Sequence, residues 1–118
     1  MKKVLALCLV LCFVLGACGS GISAENRADV KRAVEIADDF IDGKIDGKSA
    51  YMQIGRISEI IEARNDANGV KMGDPGGGLP SSLAVLQIKI NGYPRTSTMS
   101  GLLEERNNLA EKIRMKKR

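Results

Sequence analysis

Four carboxylates fall close together at Asp38, Asp39, Asp42 and Asp46, beside Gly43 and Gly47, and the pattern invites a calcium-loop reading. An EF-hand loop needs alternating oxygen ligands, a mid-loop glycine and a closing glutamate. Counted from Asp42, the second ligand position is Lys44 and the closing position is Gln53; counted from Asp38 they are Phe40 and Ser49. Both registers fail, so Asp42 and Asp46 read as helix-end and capping residues. Gly76-Gly77-Gly78 offers amides to a phosphate, but Leu79-Pro80-Ser81-Ser82 follows where a P-loop requires Gly-Lys-Ser/Thr. Ser81 and Ser82 have no histidine to activate them, since the chain contains none, and no Gly-x-Ser-x-Gly elbow surrounds them. The adjacent pairs Asp38-Asp39 and Glu104-Glu105 point in different directions on a helix and read as solvated charge. All three cysteines lie in the first 18 residues. With no histidine, a zinc site of the usual Cys/His kind is excluded from the body, as is a histidine-based triad. The expectation is a chain with no catalytic residues, no metal site and no cofactor: not an enzyme.

The chemistry that the sequence does support is at the N-terminus. Lys2 and Lys3 precede an unbroken apolar run from Val4 to Leu15, the layout of a secretory signal. A membrane-spanning helix needs about 20 apolar residues, and Gly16 ends this run too early for a retained span. Leu15-Gly16-Ala17-Cys18 closely resembles the bacterial lipobox. The resemblance implies that Cys18 receives a diacylglyceryl group and that cleavage falls between Ala17 and Cys18. Small Gly16 and Ala17 give a membrane-embedded peptidase access to the backbone, and a thiol is the natural nucleophile for thioether formation. The competing reading is an ordinary signal cut after Ala24, where Ile22 is too large for a good small-residue site. With lipidation, Cys8 and Cys12 leave with the signal and Cys18 is blocked, so no thiol or disulfide remains. Stable anchoring takes two acyl chains, which such a cysteine supplies. Gly19, in place of an aspartate, is compatible in the resembled family with outer-membrane sorting.

The C-terminus carries the one clear charge asymmetry. Lys112, Arg114, Lys116, Lys117 and Arg118 crowd the last seven residues of a chain whose formal net charge is +4. Such an end can attract anionic lipid headgroups or acidic wall polymers; equally, cations at a helix C-terminus complement the macrodipole. Nucleic acid is not an expected partner of an exported lipoprotein.

The elements that must position these groups follow from periodicity. The chain divides into a signal peptide at 1–17, a lipidated tether at 18–24 and a small helical domain at 25–118, with a helical hairpin at 25–64, a flexible loop at 65–80 and C-terminal helices over 81–117. In the hairpin, Val30, Val34, Ala37 and Ile41 form one apolar stripe, with Phe40 expected in the core, and Ala50, Ile54, Ile57 and Ile61 form the other. Gly43 sits where a C-cap belongs and Asp46 where an N-cap belongs. Asn68-Gly69, Asp74-Pro75 and the glycine run break the chain, leaving Val70 and Met72 as the loop's candidates for burial. Residues 81–91 fit either strand alternation or a helix capped by Ser81 or Ser82. The helix is favoured, because a lone strand has no partner for its backbone. Ser97 or Thr98 caps a last helix reaching about Met115.

The predicted fold class is therefore all-α, an antiparallel hairpin or bundle of three to four helices with a glycine-rich central loop, following a signal helix. The expected function is that of a non-enzymatic, membrane-anchored lipoprotein on the extracytoplasmic side of a bacterial cell membrane or outer membrane. It would act as an interaction or structural module of the envelope, with Val85 and Ile88 signalling a partner groove if exposed. The alternative is binding of a small ligand or wall polymer under the 65–80 loop.

Overall fold

The computed structural model describes residues 21–118. Four helices follow in order: α1 (Ala24–Ile41), α2 (Gly47–Ala67), α3 (Leu79–Gly92) and α4 (Met99–Lys112). No strand occurs among the described residues, and the fold class is all-α as the periodicity predicts. The 81–91 segment is helical. Each helix packs on its neighbours in sequence, and α4 closes back onto α1. The pairing is antiparallel. Asn26 near the start of α1 meets Asn65 near the end of α2, and Arg27 donates to the Ile113 carbonyl just beyond α4.

The caps explain where the helices begin. Ser23 accepts from the Asn26 amide, Asp46 from Ser49 and Thr98 from Gly101, each satisfying one orphan N–H. α3 differs from expectation. It begins at Leu79, two residues before Ser81, with Gly78 at the cap position and no side-chain cap bond. Pro80 in its first turn costs nothing, because the missing N–H is one the helix leaves unpaired there. Ser81 and Ser82 are thus inside the helix rather than capping it. The Tyr93–Pro94 peptide bond, between α3 and α4, is cis.

Three helices end in the same way. Gly43, Gly69 and Arg114 adopt left-handed φ of 76°, 69° and 59°. In each case the next residue's amide reaches back over the last turn: Lys44 to Asp39, Val70 to Asn65 and Met115 to Ala110. This is the Schellman arrangement, in which glycine is the usual reversing residue; Arg114 does the same without being one. α4 consequently stops at Lys112, short of the expected Met115.

The core is aliphatic. Val30, Val34, Ile54, Ile57, Ile61, Leu83, Leu86 and Leu102 are fully buried, each worth about 1.5–3 kcal/mol in transfer terms. Phe40 is only half-buried and packs on the edge of this core, its ring edge-on to Tyr93 at 6.1 Å. Of the two loop residues expected to be buried, Val70 is half-buried and Met72 is exposed, whereas Leu79, which opens α3, is buried. The helices also trim that loop to residues 68–78. Its course is tied by Asn65 Nδ2 donating to the Gly76 carbonyl, by the Lys71 amide donating to Asp74 and by the Gly77 amide donating to the Asp74 carbonyl.

Candidate functional site

Cys18 and Ala17, the expected lipidation and cleavage positions, lie outside the described residues, as does the expected signal helix. What is described is the chain just after them. Gly21 turns with a φ of 75° against Pro75, so closely that a Cβ there would lie 2.5 Å from the proline's own. Ile22 is buried, Ser23 caps α1 and Ala24 opens it. The segment expected as tether is therefore part of the packed body from Gly21 onward.

Beneath this entry point is a polar network. Asn26 and Asn65 are both buried, and Asn26 Nδ2 donates to Asn65 Oδ1 at 2.9 Å. Asn65 in turn donates to the Gly76 carbonyl. Arg64 donates to Asn26 Oδ1 and to Asp29 Oδ2, both at 2.8 Å, and its Nε lies 3.2 Å from Glu25. The network joins α1, α2 and the loop, and it fixes the floor on which Gly21 and Ile22 rest.

The five C-terminal cations do not form a single patch. The left-handed turn at Arg114 sends residues 115–118 back along α4. Arg118 donates to Asp42 at 2.8 Å and to Asp38 at 3.2 Å, while Lys117 pairs with Glu111 at 3.4 Å. Lys112 donates to Ser82 Oγ at 3.0 Å. Arg114 and Lys116 are exposed, and their side chains have no partner among the described residues. The charges left open to an anionic surface are therefore Arg114, Lys116 and, bonded only to a neutral hydroxyl, Lys112.

Reading the sequence alone missed Arg106. Its guanidinium is 4% exposed and forks onto Asp38, with Nε at 2.8 Å and Nη2 at 3.0 Å. Nη1 donates to the Lys116 carbonyl and to Asn107. Asp38 is thus an anchor between α1, α4 and the tail, not the solvated half of an acidic pair. Burial works to raise its carboxyl, but the hydrogen bonds and charges of Arg106 and Arg118 outweigh that and hold it below the ordinary carboxylate range. The same carboxylates, Asp42 first, raise the affinity of Arg118 for its proton. A signal for Arg106 was present: it lies on the stripe with Leu102, Leu109 and Ile113, in a position otherwise apolar.

α3 and α4 bring Ser82 and Lys112 together. A Ser–Lys couple needs a lysine stripped of water to act as base, and Lys112 beside Ser82 is exposed. In the glycine run, the Gly77 amide is spent on the Asp74 carbonyl. No cluster of three or more histidine, cysteine or carboxylate side chains suited to a metal occurs among the described residues. No helix among them is long and apolar enough to cross a membrane. A concavity of about 410 Å³ lies between α2, the loop and the start of α3, with Ser58, Glu62, Asp66, Met72, Ser81 and Ala84 in its wall. Comparison with protein-family models, curated proteins and solved structures finds no match.

Proposed function

We propose that this chain is a non-enzymatic bacterial lipoprotein, anchored through acylated Cys18, whose four-helix body serves as a protein-interaction module on the extracytoplasmic face of the membrane. The observation that carries this reading is the run from Lys2 to Cys18: two lysines, twelve apolar residues and Leu15-Gly16-Ala17-Cys18 in order. The packing of Gly21 and Ile22 is consistent with it. Three residues of extended chain reach at most about 10 Å, so an acylated Cys18 keeps the α1 entry point close to the headgroups. Exposed apolar side chains at Met52, Met72 and Ile88 support interaction with another protein.

The test compares wild type with Cys18→Ala by membrane fractionation, intact mass and in-cell crosslinking. Wild type is expected in the membrane fraction with the mass of an acylated chain, crosslinked to a specific envelope protein. Cys18→Ala is expected to lose the acyl mass, the membrane attachment and the crosslink. Unchanged mass and attachment in Cys18→Ala would overturn the anchor. Recovery of wall polymer alone would transfer the reading to ligand binding in the hollow beneath the loop.

A further inference from the structure

The outer seam between α2 and α3 is a furrow built from small residues. Gly55, Ser58, Ser81 and Ala84 line it. Two hydrogen bonds stitch its floor: Ser58 Oγ donates to the Pro80 carbonyl, and Gln87 Nε2 donates to the Tyr51 carbonyl at 2.9 Å. Gly55 leaves room for the Gln87 side chain there: a Cβ would lie 2.7 Å from its amide nitrogen and would displace it. The concavity under the loop continues along this seam into a second of about 360 Å³, and the two share Ser58. Large apolar side chains stand along the same path and remain in water: Met72 at 70% exposure, Ile88 at 66% and Met52 at 48%, with Tyr51 beside them. Ile88 is one helical turn beyond Ala84 and so continues the wall that Ala84 begins.

The charges along the furrow are one-sided. Glu59, Glu62 and Asp66 recur on one face of α2 over the half nearest the loop, and none has an ion-pair partner among the described residues. Cations lie toward the other half, at Arg56 and Lys48. Asp29, Asp38 and Asp42 are held by arginines elsewhere in the body, whereas Glu59, Glu62 and Asp66 gather along one furrow with their charge uncompensated. A furrow flanked by exposed apolar side chains and lined toward the loop by carboxylates is complementary to an amphipathic helix carrying basic residues at one end.

We infer that the α2–α3 furrow is the docking surface for a basic amphipathic helix of a partner protein, whose apolar stripe lies against Met52, Gly55, Ala84 and Ile88 and whose lysines or arginines face Glu59, Glu62 and Asp66. This rests on the interaction-module reading and names its site and partner chemistry. Met52 and Met72 suit such a role, since thioether side chains repack against varied apolar partners.

The probe is a synthetic helical peptide with a leucine stripe and lysines confined to one end, set against the same peptide with glutamates replacing the lysines. Each is titrated, fluorescently labelled, onto the full membrane-extracted protein in phosphatidylcholine nanodiscs, with empty nanodiscs as the control. The lysine peptide is expected to bind about tenfold more tightly than the glutamate peptide, a difference of about 1.4 kcal/mol. Glu59→Lys/Glu62→Lys should reverse the preference, and Ile88→Glu, an exposed change that leaves the core intact, should abolish binding of both. Equal binding of the two peptides, or binding that survives Ile88→Glu, would overturn the inference. So would a dimer in sedimentation that Ile88→Glu dissociates, since the occupant would then be a second copy. Cys18→Ala, titrated in solution without nanodiscs, should bind the lysine peptide as wild type does, so failure here and failure of the anchor are read separately.

Discussion

α1 is held by two polar networks of different construction. Near its start, Asn26 and Asn65 share a buried amide–amide bond, with Arg64 reaching in from the side to Asn26, Asp29 and Glu25. Toward its end, Asp38 receives the fork of Arg106 and one bond from Arg118. The first network has a neutral centre and a charged rim; the second has a charged centre. Neither leaves a buried side-chain nitrogen or oxygen without a partner, as burial demands. They differ in what each loses when broken. Amides that lose a partner are left unsatisfied but neutral, whereas the Asp38–Arg106 centre loses the counter-charge that justifies its burial. The comparison predicts that the second network is the costlier to break and the only one of the two to respond strongly to acid.

The largest effect is therefore expected at Arg106. Arg106→Met keeps most of the buried length and removes the guanidinium from Asp38, Asn107 and the Lys116 carbonyl. A loss of about 3 kcal/mol is expected, at the low end for a broken buried pair because Arg118 still reaches Asp38. Urea denaturation measures it, and a loss below that of Asn65→Ala would reverse the ranking. The pH dependence follows from the direction of the Asp38 shift. Its folded pKa is depressed, so its stabilisation is fully present above the unfolded carboxylate value of about 4. It is lost as pH falls through the lower folded value. Wild type should thus lose stability below about pH 4 more steeply than Arg106→Met, in which Arg118 alone remains to hold the Asp38 carboxyl low.

Asn65→Ala should cost about 2 kcal/mol, by removing the partners of the Asn26 amide and the Gly76 carbonyl together. The expected cost should be close to the same at pH 7 and pH 4, since neither asparagine titrates. A cost that grows or shrinks with pH would place the carboxylates of Asp29 and Glu25, rather than the amides, at the centre of that network. Amide exchange should also quicken in the 68–78 loop, whose course depends on the bond from Asn65 to Gly76.

What could be foreseen follows this same division. The apolar stripes of α1 and α2, the Asp46 cap and the Gly43 stop were legible because each is a local pattern with a local cause, whereas residues 81–91 fit strand or helix alike and only the want of a partner strand favoured the helix. The two networks were not, because each joins residues far apart in the chain, such as Asn26 with Asn65 and Asp38 with Arg106. Their trace in the sequence is a polar residue in an apolar register. Asn65 follows Ile61 by one turn and Asn26 precedes Val30 by one, just as Arg106 interrupts the stripe from Leu102 to Ile113. Ending α2 at Arg64 placed Asn65 outside the helix and hid its register. Placing the α3 cap at Ser81 or Ser82 likewise hid the burial of Leu79. Val85 and Ile88 were expected to be exposed if they marked a partner groove, and both are exposed, though only Ile88 stands beside the furrow. The furrow's small-residue floor was not foreseen, since Gly55 and Ala84 come together only when α2 and α3 pack.

The smallest expected effect has the opposite sign and joins the comparison to the tail. Gly43 and Gly69 end α1 and α2 in the left-handed conformation that Arg114 adopts at the end of α4. A side chain in that conformation costs about 1–2 kcal/mol, and glycine gives back about 0.5–1 kcal/mol of that through its greater freedom when unfolded. Arg114→Gly should therefore stabilise the protein by about 0.5–1 kcal/mol, readable as a melting-temperature rise of about 2–8 °C for a body of this size. The turn at Arg114 directs Lys116 to Arg106 and Arg118 to Asp38, so relieving it should tighten the charged network rather than loosen it. Arg106→Met should then recover less from Arg114→Gly than wild type gains. Equal gains in the two backgrounds would mean that the turn and the network are independent. A fall in melting temperature on Arg114→Gly would mean that the arginine side chain contributes more than its backbone conformation costs.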